Sequence, residues 1–127
     1  MCYSPKPLPV GARFRQDVDF ERRWDLMQQH TGQHLLSAIM NTYDSLNTVG
    51  WGMGNGDDMN YVDLPRKPTA EEMDEIQARC NDAIAKSLPI TVDAVGDEAK
   101  RDRLPGDYDQ DKGVIRVIKI GDIDANT

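Results

Sequence analysis

The stretch "ERRWDLMQQHTGQHLLSAIM" (residues 21–40) decides how the rest of the chain is read. Its apolar residues Trp24, Met27, Leu35 and Ile39, continued by Leu46, recur at three- and four-residue multiples, which predicts one long helix from Glu21 to about Leu46. The same stretch holds both of the chain's histidines, His30 and His34. Residues four apart on a helix lie one above the other, so the two imidazoles can be aimed at one point. Two neutral imidazoles hold a zinc ion at about 2.0–2.1 Å each, but structural zinc takes four protein ligands and catalytic zinc three plus water. Spacing alone leaves two readings open, half of a metal site or a polar patch on a helix surface. A zinc-protease helix needs glutamate directly after the first histidine to activate water, and Thr31 stands there instead, which disfavours that chemistry. Gln28, Gln29 and Gln33 bring amide donors and acceptors near the pair but no base at neutral pH.

Upstream, three prolines and a glycine in residues 1–11 favour an extended segment with no core of its own. "ARFRQDVDF" (12–20) alternates Phe14, Val18 and Phe20 with polar residues and predicts a short strand. Downstream, "NTVGWGMGNGDDMNYVDLP" (47–65) reads as two strands joined by a turn at Asn55-Gly56. Repeated glycine within a strand marks a bulge or the close approach of another backbone or a ligand, which singles out Gly50, Gly52 and Gly54. The run lacks the Lys-Ser/Thr ending of a phosphate loop. Asp57, Asp58 and Asp63 suit either a hard cation or solvated turns.

"PTAEEMDEIQARCNDAIAKSLP" (68–89) opens with Thr69 as N-cap and Glu72 three residues later, a capping box, and carries the apolar stripe Met73, Ile76, Cys80, Ile84 and Leu88. This is a second helix, ended by Pro89. A strand at 90–95, a charged loop at 96–112 and a central strand within "GVIRVIKIGDID" (113–124) follow. The element order predicts an α+β domain, a mainly antiparallel sheet with two long helices packed on one face.

A chain of 127 residues is the size of one domain. Its 15 Lys and Arg against 22 Asp and Glu give a net charge of −7, which argues against a general nucleic-acid coat. Arg13, Arg15, Arg22 and Arg23 nevertheless crowd the approach to the histidine helix, where an RNA backbone can be met locally. No apolar run approaches the length of a membrane helix and the start lacks the layout of a signal peptide, so a soluble, cytoplasmic protein is expected. Two cysteines, Cys2 and Cys80, are too few for a disulfide framework and fit a reducing compartment, with a single bridge left open.

"ERRWDLMQQHTGQHLLSAI", together with "VGWGMG", "MNYVDLP", the second helix and "GVIRVIKIGDIDAN", resembles the alanyl-tRNA editing family: the editing domain of alanyl-tRNA synthetase and its stand-alone relatives. The resemblance covers residues 12–127 and is strongest to the eukaryotic stand-alone type. It implies an aminoacyl-tRNA hydrolase, which cleaves the ester between a wrong amino acid, serine or glycine, and tRNA(Ala). A pocket that must accept alanine rejects serine weakly by size, so a second hydrolytic site adds discrimination.

Family members hold zinc through a His-x-x-x-His pair, here His30 and His34, and a Cys-x-x-x-His pair after the last strand. The sequence reads "GDIDANT" where that second pair would follow, and neither Cys2 nor Cys80 matches it. The resemblance therefore implies two of four zinc ligands, a partial editing domain at 12–127, and a linker or remnant of a preceding region at 1–11, where stand-alone members usually carry a small β-barrel. A fragment with impaired activity is expected. The candidates for tRNA and substrate contacts are Arg22 and Arg23 at the phosphate backbone, the glycine-rich strand with Gly50, Gly52 and Gly54 near the terminal adenosine or the amino-acid end, and Thr31 and Gln33. The competing readings are a non-catalytic RNA- or protein-binding module on the same fold, and a metal-dependent hydrolase of another ester or amide.

Overall fold

A computed structural model describes residues 6–54, 58–95 and 115–126. The histidine stretch forms helix α1, Phe20–Met40. Asp19 caps its start, its carboxylate accepting the Arg22 N–H at 3.2 Å, and Glu21 places negative charge in the first turn, where the helix dipole favours it. The helix stops six residues short of Leu46, because "NTYDS" supplies turn formers: Thr42 Oγ1 donates to the Ile39 carbonyl at 2.7 Å, and Ser45 takes a left-handed φ of 56°. Leu46 is still fully buried, delivered by the turn rather than by the helix.

The strand predicted at 12–20 is not formed. Residues 12–19 carry no regular structure and Phe20 opens α1, stacked on Trp24 at 6.2 Å. Alternation yields a strand only where another strand supplies hydrogen bonds, and Phe14, Val18 and Phe20 all remain more than half exposed.

Strands β1 (Gly50–Gly52) and β2 (Tyr61–Asp63) form the expected antiparallel hairpin, in the register Gly50↔Asp63, Trp51↔Val62 and Gly52↔Tyr61. The predicted turn at Asn55-Gly56 lies outside the described residues, as does the loop at 96–112. Helix α2, Ala70–Ala85, begins at the predicted capping box: the Glu72 N–H donates to Thr69 Oγ1 at 3.2 Å, and the Thr69 N–H to Glu72 Oε2 at 2.8 Å. Arg66 grips the same carboxylate through two guanidinium nitrogens at 2.8 Å each and also donates to the Asp44 carbonyl, tying the end of α1 to the start of α2. That guanidinium, helped by the Thr69 N–H, holds the Glu72 carboxyl down at about 2.

Strands β3 (Ile90–Val95), β4 (Ile115–Ile120) and β5 (Asp124–Asn126) make a second antiparallel sheet in the order β3-β4-β5. The strand predicted to run to residue 124 breaks at Gly121, whose φ of 48° and N–H bond to the Pro89 carbonyl turn the chain back as β5. The α+β class holds, with two small sheets instead of one.

The core is drawn from every layer: Leu35, Ile39 and Met40 from α1, Leu46 from the turn that follows it, Ile76 and Ala83 from α2, and Ile120 from β4, with Val62 of β2 packed against them. Burying each of the two largest, Ile39 and Leu46, contributes about 1.5–3 kcal/mol. On α2 the buried face runs through Ile76, half-buried Cys80 and Ala83, leaving Met73 and Ile84 of the expected stripe more than half exposed at its edge. Burial pushes the Cys80 thiol up, the inert state for a cysteine.

Candidate functional site

Helical spacing brings the histidines together as expected. The Nε2 atoms of His30 and His34 lie 3.2 Å apart and the ring centroids 4.9 Å apart. Two nitrogens about 2.05 Å from one tetrahedral cation sit about 3.3–3.4 Å apart, so the pair already spans one edge of a zinc coordination shell. The same separation suits an N–H···N hydrogen bond between the neutral rings.

Asp124 of β5 distinguishes the two nitrogens of His34. Its carboxylate approaches Nδ1 to 4.0 Å, which favours the proton on that nitrogen and leaves Nε2 with a lone pair. Burial first, and then the neighbouring His30, push the His34 imidazole below its ordinary value, against an opposing pull from Asp124. A neutral ring is the state a metal ligand requires. Among the described residues no third His, Cys, Asp or Glu joins the pair in a metal-holding group.

The hairpin is fastened across α1 by amides. Gln33 Nε2 donates to the Tyr61 carbonyl at 3.2 Å, and Asn60 bridges Gln29 Oε1 to the Gly54 N–H at 3.0 and 2.8 Å. These bonds place Trp51 over His30, with ring centroids 6.1 Å apart and planes 24° apart. They also set Met53 and Gly54 on the rim of an open cleft of about 700 Å³, whose other walls are Val18, Asp19, Arg22, Arg23, Leu26, Met27 and His30. Arg22, Arg23, His30 and Gly54, singled out from the sequence, thus share one cleft.

The remaining sequence candidates lie around it. Thr31 faces a separate apolar groove of about 570 Å³ between α1, α2 and the second sheet, and its hydroxyl donates to the Met27 carbonyl at 3.0 Å. Gln33 spends one amide hydrogen on Tyr61. The space beside Gly50 and Gly52 is taken by this chain's own side chains: a Cβ at Gly50 would meet Asp63 Oδ2 at 2.7 Å, and one at Gly52 would strike the Tyr61 ring. At Gly54 a Cβ would run into the Asp58 backbone. Trp51, Asn60 and Asp124 are the site residues that sequence reasoning passed over. Trp51 had a signal, an indole between two glycines; Asp124 had none before β5 was seen to fold back.

The α+β domain thus sets two imidazoles at a separation that fits a shared cation or an N–H···N bond, one of them lining a cleft that also carries two arginines. No protein-family model matches the chain. Among curated proteins it is 41% identical to the Saccharomyces cerevisiae protein alaX, named for alanyl-tRNA editing, over 91% of this chain and 29% of that one. The alanyl-tRNA editing protein Aarsd1 of Mus musculus is 35% identical over 98% of this chain and 31% of its own length, and that of Danio rerio 35% over 94% and 29%. The chain belongs to the alanyl-tRNA editing family. It spans about three tenths of the length of the curated relatives it matches.

Proposed function

We propose that the chain supplies the histidine half of a zinc-dependent editing site, which hydrolyses in trans the ester joining serine or glycine to tRNA(Ala). The observation that supports this best is the 3.2 Å approach of His30 Nε2 and His34 Nε2 beside a cleft walled by Arg22 and Arg23. When bound, zinc would supply Lewis acidity toward the ester carbonyl. The protein's own groups then do the placing. Arg22 and Arg23 neutralise backbone phosphates, which fixes the register of the RNA without reading its sequence. Asp124 holds the His34 tautomer. Gly50, Gly52 and Gly54, packed against their own hairpin, shape the wall on which the acceptor end rests.

On this reading the 127 residues assayed by themselves, with His30 and His34 as the zinc ligands they supply, are expected to hold zinc weakly and to cleave slowly. Hydrolysis of Ser-tRNA(Ala) and Gly-tRNA(Ala), followed as zinc is added, tests the reading. Slow cleavage that rises with zinc, disappears in His30→Ala and persists in the surface variant Glu75→Ala is expected. RNA binding with no cleavage at any zinc concentration would favour a non-catalytic module, and tight stoichiometric zinc that survives His30→Ala would refute the histidine site.

A further inference from the structure

We infer that Trp51 is a stacking platform for an unpaired nucleobase at the end of the RNA delivered to the histidine pair, an inference that rests on the reading just given. Strand alternation sets Trp51 on the face of the hairpin opposite Tyr61 and Asp63, whose side chains lie across Gly52 and Gly50. That face looks onto α1. The His30 ring covers part of the indole, yet 58% of the residue stays open to solvent.

A single exposed aromatic is ordinary; its position sets this one apart. The arginine cleft begins at Met53 and Gly54, two and three residues beyond the indole, and includes His30, the ring on which the indole rests. Along this surface come guanidinium groups suited to phosphates, then an imidazole pair suited to a cation, then an aromatic face. A single-stranded nucleotide end presents the same sequence of chemistries: phosphate, a ribose carrying the ester, and a base with an apolar π-face. Bases stack on aromatic side chains with little regard to sequence, and unpaired ends are where proteins read RNA. Stacking on Trp51 holds the base one sugar width from the imidazoles, which is where a ribose ester must be placed to be cleaved there.

Trp24→Phe leaves Trp51 as the chain's sole indole, so its fluorescence reports the platform directly. The probes are a short single-stranded RNA ending in CCA and the same strand with an abasic 3′ position. The intact strand should quench Trp51 saturably, and the abasic strand should bind roughly tenfold more weakly with little quenching. Trp51→Ala should weaken the intact strand to the abasic level while Trp51→Phe keeps most of the affinity, with circular dichroism confirming that both variants fold. Equal quenching by the two strands, or unchanged affinity in Trp51→Ala, overturns the platform. If RNA binding is salt-dependent in every variant but indifferent to Trp51, the platform alone fails; if the parent chain shows no such binding, the tRNA reading fails with it.

Discussion

His34 is the residue on which the local physics converges. A lowered histidine pKa means the fold prefers the neutral ring, so its contribution to stability is present above the ordinary value of 6.5 and is lost as pH falls through the folded value. Imidazole proton NMR on the metal-free chain should place the His34 midpoint below 6.5, and Asp124→Asn, which removes a raising influence, should move it lower still. A midpoint above 6.5 would show that the ring is neither desolvated nor coupled to His30. The histidine pair was legible because helical spacing alone stacks residues four apart. Asp124 was not, since it reaches the pair only because the chain folds back after β4, and Trp51 was marked only as an indole between two glycines. The glycines were legible as a close approach, but what approaches them is Tyr61 and Asp63 from the paired strand.

Among the elements, α2 shows how a short signal suffices when all its partners are local. Thr69 and Glu72 sit three residues apart and satisfy each other's N–H groups whatever the rest of the chain does. Thr69→Ala should therefore cost about 1 kcal/mol in chemical denaturation. The Glu72 carboxyl, held at about 2 against an ordinary 4.5, contributes stability that is complete above pH 4.5 and is lost as pH falls through about 2. Acid unfolding of Arg66→Gln should accordingly start from a lower stability at neutral pH and lose less across that window; a parallel loss would deny Arg66 its hold on Glu72. Where partners are distant, pattern misleads. Phe14, Val18 and Phe20 alternate as a strand does but meet no second strand among the described residues, and the run ending in "GDID" hides the reversal over 121–123, where a positive φ at Gly121 and the Ile123 N–H bond to the Ile120 carbonyl separate β4 from β5.

Among the described residues, two helices and two small sheets share one core, and Ile39 lies at its centre, 1% exposed. Ile39→Ala should cost about 2–5 kcal/mol in denaturant unfolding, and a loss below about 1 kcal/mol would mean that the helices do not close on the sheets as described. No helix of the described residues is long and apolar enough to cross a membrane. A net charge of −7 repels polyanions in general, and on the proposed reading RNA is met at the cleft where Arg22 and Arg23 gather. That place matters only if the two imidazoles beside it act as one ligand pair. Nitrogen-15 NMR of the histidine side chains during zinc titration tests this most directly. The account predicts that the Nε2 resonances of His30 and His34 move together along one shallow, saturable zinc isotherm, while both Nδ1 nitrogens keep their protons. Movement of one ring without the other, or of neither, would contradict it.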